Sequence, residues 1–365
     1  MGLKEKVFPA IAALAIAGSA HAQEAQVGYA AVTVPAGTDT RVSIPFQENS
    51  LGEFTIAAIN GDTLTVNDPE GLLNTTLGTN AQGRPLYYAR FADGPLAGRW
   101  FNIVSQSGTQ LQLVVEGSDA SAATLLQSAG LNQTIAVLPH WTIEAIFPDG
   151  AEGLTFAASP NPFQPTFRIL VPQETDGVGV NIPALTGIFY LNGDWRTRTG
   201  GFANDFVLEP QGTLILRNPA PLSTGEADDP QTLIDESSGN LSFFGVGQSL
   251  GFNIVESIAI ENVQNDTILG TGVTEPTTLA ASGLSQVVDN SPSTLSPGDQ
   301  VLIFDAPAAE SGFDPAAATT VIKVNDSFVT LAGDPANDLV IDPAQVIVVR
   351  KNPGVPGEVT WEVNP

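Results

Sequence analysis

A stretch of about fifty residues occurs twice in this chain, and the repetition limits the folds that the chain can adopt. Residues 168–217 align with residues 301–350 without a gap at an offset of 133, and about a dozen of the aligned positions are identical. The clearest match is FANDFVLEP at 202–210 against PANDLVIDP at 335–343. Apolar runs keep their places between the identical residues. A repeat of this kind predicts one supersecondary unit that was copied and packs against its copy.

The residues between turn signals predict an all-β protein with very little helix. Segments rich in Val, Ile, Thr and Phe recur at a spacing of about ten residues, separated by Gly, Asn, Asp and Pro. Hairpins are predicted at Asn60-Gly61 within 54–66, at Ser107-Gly108 within 100–117 and at Asn192-Gly193 within 188–197. Short helices are predicted at 119–130 and 141–148, and the segment 253–263 fits either a helix or a strand.

These patterns predict a chain of five parts. They are a signal peptide (1–22), an N-terminal β domain (23–150) with a small β-barrel at about 54–139, a first β repeat unit (151–225), a second β repeat unit (226–353), and a C-terminal tail or edge strand (354–365). A second, weaker sequence similarity aligns residues 42–52 with residues 241–251. This similarity suggests two related β units, the first of which carries the barrel as an insertion.

The first 22 residues have the pattern of a secretory signal. Lys4 and Lys6 precede an apolar run, and the small residues Ala20 and Ala22 predict cleavage after Ala22. No later apolar run is long enough to predict a membrane-spanning helix. The mature chain is therefore expected outside the inner membrane, whether periplasmic, on the cell surface or extracellular.

Composition narrows the set of partners. The chain has no cysteine, so its stability must come from buried apolar surface, which a chain of 365 residues can supply. Its net charge is -26, and after signal cleavage Lys323 and Lys351 are its only lysines. Nucleic acids and anionic membrane surfaces are bound through basic side chains, so neither is an expected partner. The acidity predicts a soluble surface in a salty exterior, and carboxylates that gather Ca²⁺ are the alternative interpretation.

The sequence offers no credible catalytic constellation. The segment GQSLG at 247–251 matches a nucleophile elbow, but Ser249 would need a histidine later in the chain and none follows it. The mature chain's one histidine, His140, is expected to be half-buried with one hydrogen bond rather than a general base or a metal ligand. We predict no catalytic, cofactor-binding or metal-binding residues and no cofactor, with Ca²⁺ as the one ion to consider.

Two further groups of residues have alternative interpretations. Asp205 and Asp338, in the repeated Ala-Asn-Asp, are predicted to lie at equivalent places in a turn before a strand, and calcium ligation is the alternative. Trp195 stands where the second copy has Phe328, an exchange that predicts core packing more than a sugar-stacking platform. Trp100, Trp141 and Trp361 are each predicted beside a strand or a helix edge.

Four motifs carry a resemblance to a known family. They are VGYAAVTVPAGTDTRVSIPF at 27–46, LPHWTIEAIFP at 138–148, IFYLNGDWR at 188–196 and LILRNP at 214–219. By these motifs the chain resembles a family of secreted proteins from Verrucomicrobia and similar bacteria that has no assigned activity. The resemblance implies export and a β architecture, and it implies no site.

The expected function is that of an exported, non-enzymatic structural or surface-associated β protein. Its expected partners are other copies of itself, a cell-surface layer or an extracellular polymer. A carbohydrate-binding module and a Ca²⁺-dependent adhesin are the alternatives. Exposed aromatic rings beside carboxylates would favour the first alternative, and loss of assembly with a chelator would favour the second.

Overall fold

The structure confirms an all-β protein. A computed structural model describes residues 26–34, 37–44, 47–74, 77–114, 122–148, 167–172, 184–210, 212–218, 240–247, 251–255, 264–273, 275–304, 316–343, 345–352 and 358–362. The strands are β1 (Gln26–Thr33), β2 (Thr38–Ser43), β3 (Gly52–Asn60), β4 (Thr63–Asn67), β5 (Tyr87–Phe91), β6 (Trp100–Ser107), β7 (Gln110–Val114), β8 (Thr134–Pro139), β9 (Trp141–Thr142), β10 (Arg168–Pro172), β11 (Ala184–Leu191), β12 (Asp194–Thr197), β13 (Val207–Leu208), β14 (Thr213–Asn218), β15 (Asn240–Gly247), β16 (Gly251–Val255), β17 (Asn265–Gly270), β18 (Thr277–Thr278), β19 (Gln300–Phe304), β20 (Thr319–Val324), β21 (Ser327–Thr330), β22 (Val340–Ile341), β23 (Val346–Lys351) and β24 (Glu358–Glu362).

Two short α-helices accompany these strands in the described ranges. They are α1 (Ala122–Ala129) and α2 (Ile143–Ile146), and both fall within the segments predicted to be helical. The predicted segment 253–263 begins in β16, and its remainder lies outside the described residues. Within the described ranges, no helix has the length and apolarity to cross a membrane.

Six consecutive strands close into a small barrel between Gly52 and Pro139, where the sequence predicts one. The strand order is β3-β4-β7-β6-β5-β8. Alternate residues of β3, such as Phe54 and Ile56, are buried inside, as a strand with one face on a core requires. Helix α1 packs Leu126 against the same core.

The predicted hairpins are also observed. Gly61 and Gly108 have φ angles of 63° and 59°, and Asn192 and Gly193 have φ angles of 55° and 89°. These positive values match the turns that suit the right-handed twist of paired strands. Asn192-Gly193 is the turn of β11–β12 as predicted, but the turns of β3–β4 and β6–β7 are Gly61-Asp62 and Gly108-Thr109, one residue later than predicted.

The barrel is an insertion into the first repeat unit. The first five-stranded sheet has the order β12-β11-β10-β14-β2, so it joins one strand from before the barrel with four from after it. The link is long, since all six residues of β14 pair with β2. The chain thus leaves the sheet after β2, forms the barrel, and returns through α2.

The second five-stranded sheet repeats the first. Its order is β17-β23-β19-β20-β21, in which every strand has a counterpart in the first sheet. β21, β22 and β23 begin and end 133 residues after β12, β13 and β14. Both copies also carry a bidentate ion pair at the same place, Arg217 with Asp39 and Arg350 with Asp266. The predicted duplication is confirmed.

The ungapped alignment is wrong by one residue in the first strand of the repeat. Ile169 of β10 lies opposite Leu216, and Val301 of β19 lies opposite Val349, which is the counterpart of Leu216. Val301 is therefore the counterpart of Ile169, at an offset of 132, and not that of Arg168. A one-residue slip turns every side chain to the other face, but the run VLIF at 301–304 is apolar on both faces and hides the slip.

Each unit also has a two-stranded ribbon. β1 pairs with β15, and β16 pairs with β24, so the C-terminal residues form a strand. The chain passes from one ribbon to the other between Gly247 and Gly251, whereas the sequence places a boundary near residue 225. The structural similarity predicted between 42–52 and 241–251 is wrong, because the counterpart of β2 in the sheet order is β17.

The barrel and the two units have separate apolar cores. The two units contact each other through β2 and β14 of the first sheet and β17 and β23 of the second, and Arg41 and Ser43 contribute from the non-core face of β2. Ser43 donates a hydrogen bond to the carbonyl oxygen of Gln345 at 3.1 Å, and the Arg41 guanidinium lies 4.5 Å from the ring centre of Phe304.

Candidate functional site

Ser249 and His140, the two residues considered for catalysis, belong to no described catalytic site. Ser249 lies outside the described residues. His140 is 5% exposed at the end of β8, against the outer face of the barrel. Its Nε2–H donates to the side-chain oxygen of Asn102 at 2.7 Å, and its ring lies 4.7 Å from that of Tyr88. The histidine is more deeply buried than the sequence predicts, and it makes the one hydrogen bond expected.

Burial controls the titration of this cluster. Burial lowers the pKa of His140 to about 3, which the nearby carbonyl of Leu208 opposes only in part. Burial also raises the pKa of Tyr88 and lowers that of Arg90, which donates to Gln47 at 3.4 Å. At neutral pH the histidine is uncharged and the tyrosine is protonated. Neither group is suited to proton transfer with a substrate in solution.

The buried histidine predicts a specific loss of stability in acid. The folded pKa of about 3 lies below the unfolded value of 6.5, so the unfolded chain binds the extra proton between these values and stability falls as pH falls. We expect the free energy of unfolding to fall by about 2 to 3 kcal/mol more in the wild type than in His140→Gln between about pH 7 and pH 4.5. Urea unfolding at both pH values measures this difference. An equal fall in both proteins would contradict the prediction.

The repeated Ala-Asn-Asp is a turn, and its asparagine makes the conserved contact within the repeat. The side-chain oxygen of Asn204 accepts from the backbone N–H of Trp195 at 2.8 Å, and that of Asn337 accepts from Phe328 at 2.7 Å. Asp205 and Asp338 follow in the same two-residue turn before β13 and β22. The predicted equivalence of the two aspartates is confirmed. Among the described residues, no group of three or more acidic or histidine side chains is arranged to hold a metal ion.

Lys323 and Lys351, the lysines in the described part of the chain, point inward. Lys323 is 9% exposed and donates to the carbonyl oxygen of Ser285 at 2.6 Å. Lys351 is 2% exposed and donates to the carbonyl oxygen of Val287 at 2.9 Å and to Asp299 at 2.5 Å. The lysines therefore tie β20 and β23 to the segment 284–288 and are not offered to a partner.

This burial predicts that Lys323 and Lys351 resist amine acylation in the folded chain. We expect acetylation by an N-hydroxysuccinimide ester to spare Lys323 and Lys351 in buffer and to modify both in denaturant, because a buried, bonded ammonium must first be exposed by unfolding. Peptide mass spectrometry of matched samples measures the two sites. Rapid modification of either lysine in the folded chain would contradict its placement.

Two of the four tryptophans lie inside the cores, and the other two pack against apolar clusters from half-buried positions. Trp195 and Trp361 are 1% and 0% exposed, and each indole N–H donates to a backbone carbonyl, of Phe147 and of Ser282 respectively. Trp100 and Trp141 are half-buried. Trp195 and Trp361 are thus unavailable for stacking on a sugar.

Phe202 is the exposed aromatic residue that sequence reasoning missed. It is 56% exposed, and the guanidinium of Arg196 lies 3.5 Å from its ring centre. Arg196 is held in turn by Asp194 at 3.1 Å. The repeat contained a signal for this feature, because the second copy has Pro335 in place of Phe202.

An arginine cluster lies on the non-core face of the first sheet. It consists of Arg168, Arg198 and Arg217. Arg168 and Arg217 are directly opposite each other on β10 and β14. Burial and the positive charges of Arg217 and Arg198 lower the pKa of Arg168, and Asp39 opposes this effect. At the corresponding place opposite Arg350, the second unit has the uncharged Gln300.

The barrel covers the first unit at a place where the second unit is open. Asn80 of the barrel donates to the carbonyl oxygen of Asp205 at 2.9 Å, and Gln82 donates to that of Phe202 at 3.4 Å. Val207, in the covered region, is 5% exposed, whereas its counterpart Val340 is 49% exposed. We call residues 331–342, which contain Val340, the edge segment. All three acidic residues of the edge segment are exposed, namely Asp334, Asp338 and Asp342.

Comparison of the chain with known protein families, with curated proteins and with solved structures gave no match. The resemblance to a secreted family therefore stays a prediction.

Proposed function

We propose that the chain is an exported, non-enzymatic structural protein of the cell surface or extracellular matrix that associates with other copies of itself. The proposal is based on the burial of the chain's reactive side chains in the described residues. His140 is buried and uncharged, and both lysines are bonded to backbone carbonyls. A repeated scaffold with its reactive groups buried is better suited to present surfaces than to perform chemistry on a substrate.

The duplication adds to this proposal. Two units with the same sheet order and the same Arg–Asp pairs form a scaffold with repeated surfaces. Two differences between the copies change a surface: Arg168 stands where the second copy has Gln300, and Val207 is buried whereas its counterpart Val340 is exposed. Such differences let two similar units present two unlike faces to partners.

Electron microscopy of the purified mature chain tests the proposal. We expect ordered oligomers or filaments of the chain from Gln23 onward, and we expect them with and without Ca²⁺. Discrete monomers in both conditions, over the full range of soluble concentrations, would sink the proposal. Export is tested separately by N-terminal sequencing of the chain recovered outside the cytoplasm, with Gln23 as the expected first residue.

A carbohydrate-binding function is the second candidate, and the exposed Phe202 favours it. An aromatic ring held by Arg196 beside the carboxylate of Asp194 has the composition of a sugar-stacking surface. A glycan array with the wild type and Phe202→Pro, which copies Pro335, tests it. Glycan binding that the substitution leaves unchanged would count against this surface. A Ca²⁺-dependent adhesin predicts instead that a chelator lowers the melting temperature and dissolves assemblies.

A further inference from the structure

The fold does not require an arginine at position 168. Its counterpart Gln300 occupies the same place in a sheet with the same order. Like charges directly opposite each other on neighbouring strands are destabilising. Arg168 and Arg217 are such a pair, and Arg217 already binds Asp39 through two hydrogen bonds of 2.7 and 2.6 Å. Arg168 therefore costs stability, which points to a role outside the folded chain.

The arginine cluster is only partly covered: Arg168 and Arg217 are half-buried, and of these two Arg217 is compensated by Asp39. Ile169 and Leu216 point into the core, so Arg168 and Arg217, which alternate with them, stand on the opposite face. Arg198 is exposed. Asp39, whose charge opposes the lowering of the pKa of Arg168, is already bound by Arg217 through two hydrogen bonds. A guanidinium without its own carboxylate is suited to bind one from a partner.

The edge segment of the second unit has the complementary properties. Asp334, Asp338 and Asp342 are exposed there, next to the exposed apolar side chains of Leu331 and Val340. In the first unit the barrel covers the corresponding place, and in the described part of the chain the edge segment has no such cover. Apolar side chains flanked by charges of one sign are typical of a surface that meets a partner of opposite charge.

We propose that the arginine cluster of one chain binds the edge segment of a second copy. The contact joins two different surfaces, so repetition gives a head-to-tail assembly and not a closed symmetric dimer. This inference rests on the proposed self-association and names the two faces that perform it. Because both chains are strongly acidic, the contact depends on the local pairing of charges, and salt of about 0.5 M weakens it.

Two complementary variants test the contact. Arg168→Asp with Arg198→Asp makes the first face acidic, and Asp334→Arg with Asp338→Arg and Asp342→Arg makes the edge segment basic. Each variant alone brings like charges together and is expected to remain monomeric in sedimentation velocity. An equimolar mixture restores opposite charges at both kinds of contact and is expected to assemble into alternating oligomers. A mixture that stays monomeric, while the wild type assembles, would overturn the inference.

The single substitution Arg168→Gln separates assembly from folding. We expect it to weaken assembly about tenfold or more, since one charge pair at an interface is worth about 1.4 kcal/mol or more. The melting temperature should stay the same or rise, because the repulsion from Arg217 is removed. Assembly equal to that of the wild type would overturn this inference and leave self-association standing, whereas a monomeric wild type would overturn both. A monomeric wild type that binds polygalacturonate through Arg168 would assign the cluster to an acidic polysaccharide and overturn the second copy as its partner.

Discussion

Replacing Trp361 with alanine is expected to lower the free energy of unfolding by about 3 to 5 kcal/mol, the usual cost of removing a buried tryptophan. The residue is 0% exposed in the core of the second unit, although it belongs to the last strand of the chain. Its indole N–H donates to the carbonyl oxygen of Ser282 at 2.9 Å. The substitution therefore opens a cavity and leaves a buried carbonyl group without this donor. Urea unfolding followed by circular dichroism measures the loss.

Comparison with the first unit explains why the core of the second unit receives its tryptophan, Trp361, from β24. In the first unit, Trp195 fills the core from β12 and bonds the carbonyl oxygen of Phe147 at 3.1 Å. In the second unit the position of Trp195 holds the smaller Phe328, and Trp361 supplies an indole from β24. The second unit therefore also has a buried indole N–H donor, but the indole comes from β24 and not from the counterpart of β12.

A double variant tests this exchange. If the two indoles fill comparable space, Phe328→Trp should destabilise the wild type by crowding and should recover part of the stability of Trp361→Ala. Trp361→Phe, which keeps most of the volume but loses the N–H, should cost less than Trp361→Ala. Additive effects of Phe328→Trp and Trp361→Ala would show that the two positions do not share space.

Features that depend on neighbouring residues could be predicted from the sequence. The hairpin at Asn192-Gly193 was predictable because few residue pairs adopt that turn. At β3–β4 the glycine marked the hairpin, although the turn is Gly61-Asp62 and not the predicted Asn60-Gly61. The barrel followed from alternating runs between such turns. The duplication followed because turn residues such as Asn204 and Asn337 make the same backbone contact in both copies.

Features that depend on distant partners could not be predicted in this way. The run at 301–304 is apolar at every position, so its pattern cannot tell the offset of 132 from that of 133. The burial of Lys351 depends on Asp299, which lies 52 residues away, and no local pattern marks the pair. The arginine cluster likewise consists of residues that are far apart in the sequence and become neighbours only when β10 and β14 pair in the sheet. Such contacts become visible only when register and strand order are known.

Replacing Lys351 with methionine is expected to lower the free energy of unfolding by about 3 kcal/mol, because it leaves a buried carboxylate without its cation. The side chains of Lys351 and Asp299 are each 3% exposed, and their charged atoms are 2.5 Å apart. Asp299 also accepts the backbone N–H groups of Asp289 and Asn352, at 2.8 and 2.9 Å. These two donors remain in the variant, so the expected cost lies at the lower end of the range for a broken buried pair. Urea unfolding at neutral pH measures it.

Two controls identify the unpaired charge as the cause. Lys323→Met removes a lysine whose described bond is to the neutral carbonyl of Ser285, so it should cost only about 1 kcal/mol. Lys351→Met combined with Asp299→Asn removes both charges but keeps only one of the two backbone bonds to residue 299, so it should recover part of the loss. A double variant as unstable as Lys351→Met alone would show that the bond from Lys351 to the carbonyl of Val287, and not the ion pair, holds β23 to the segment 284–288.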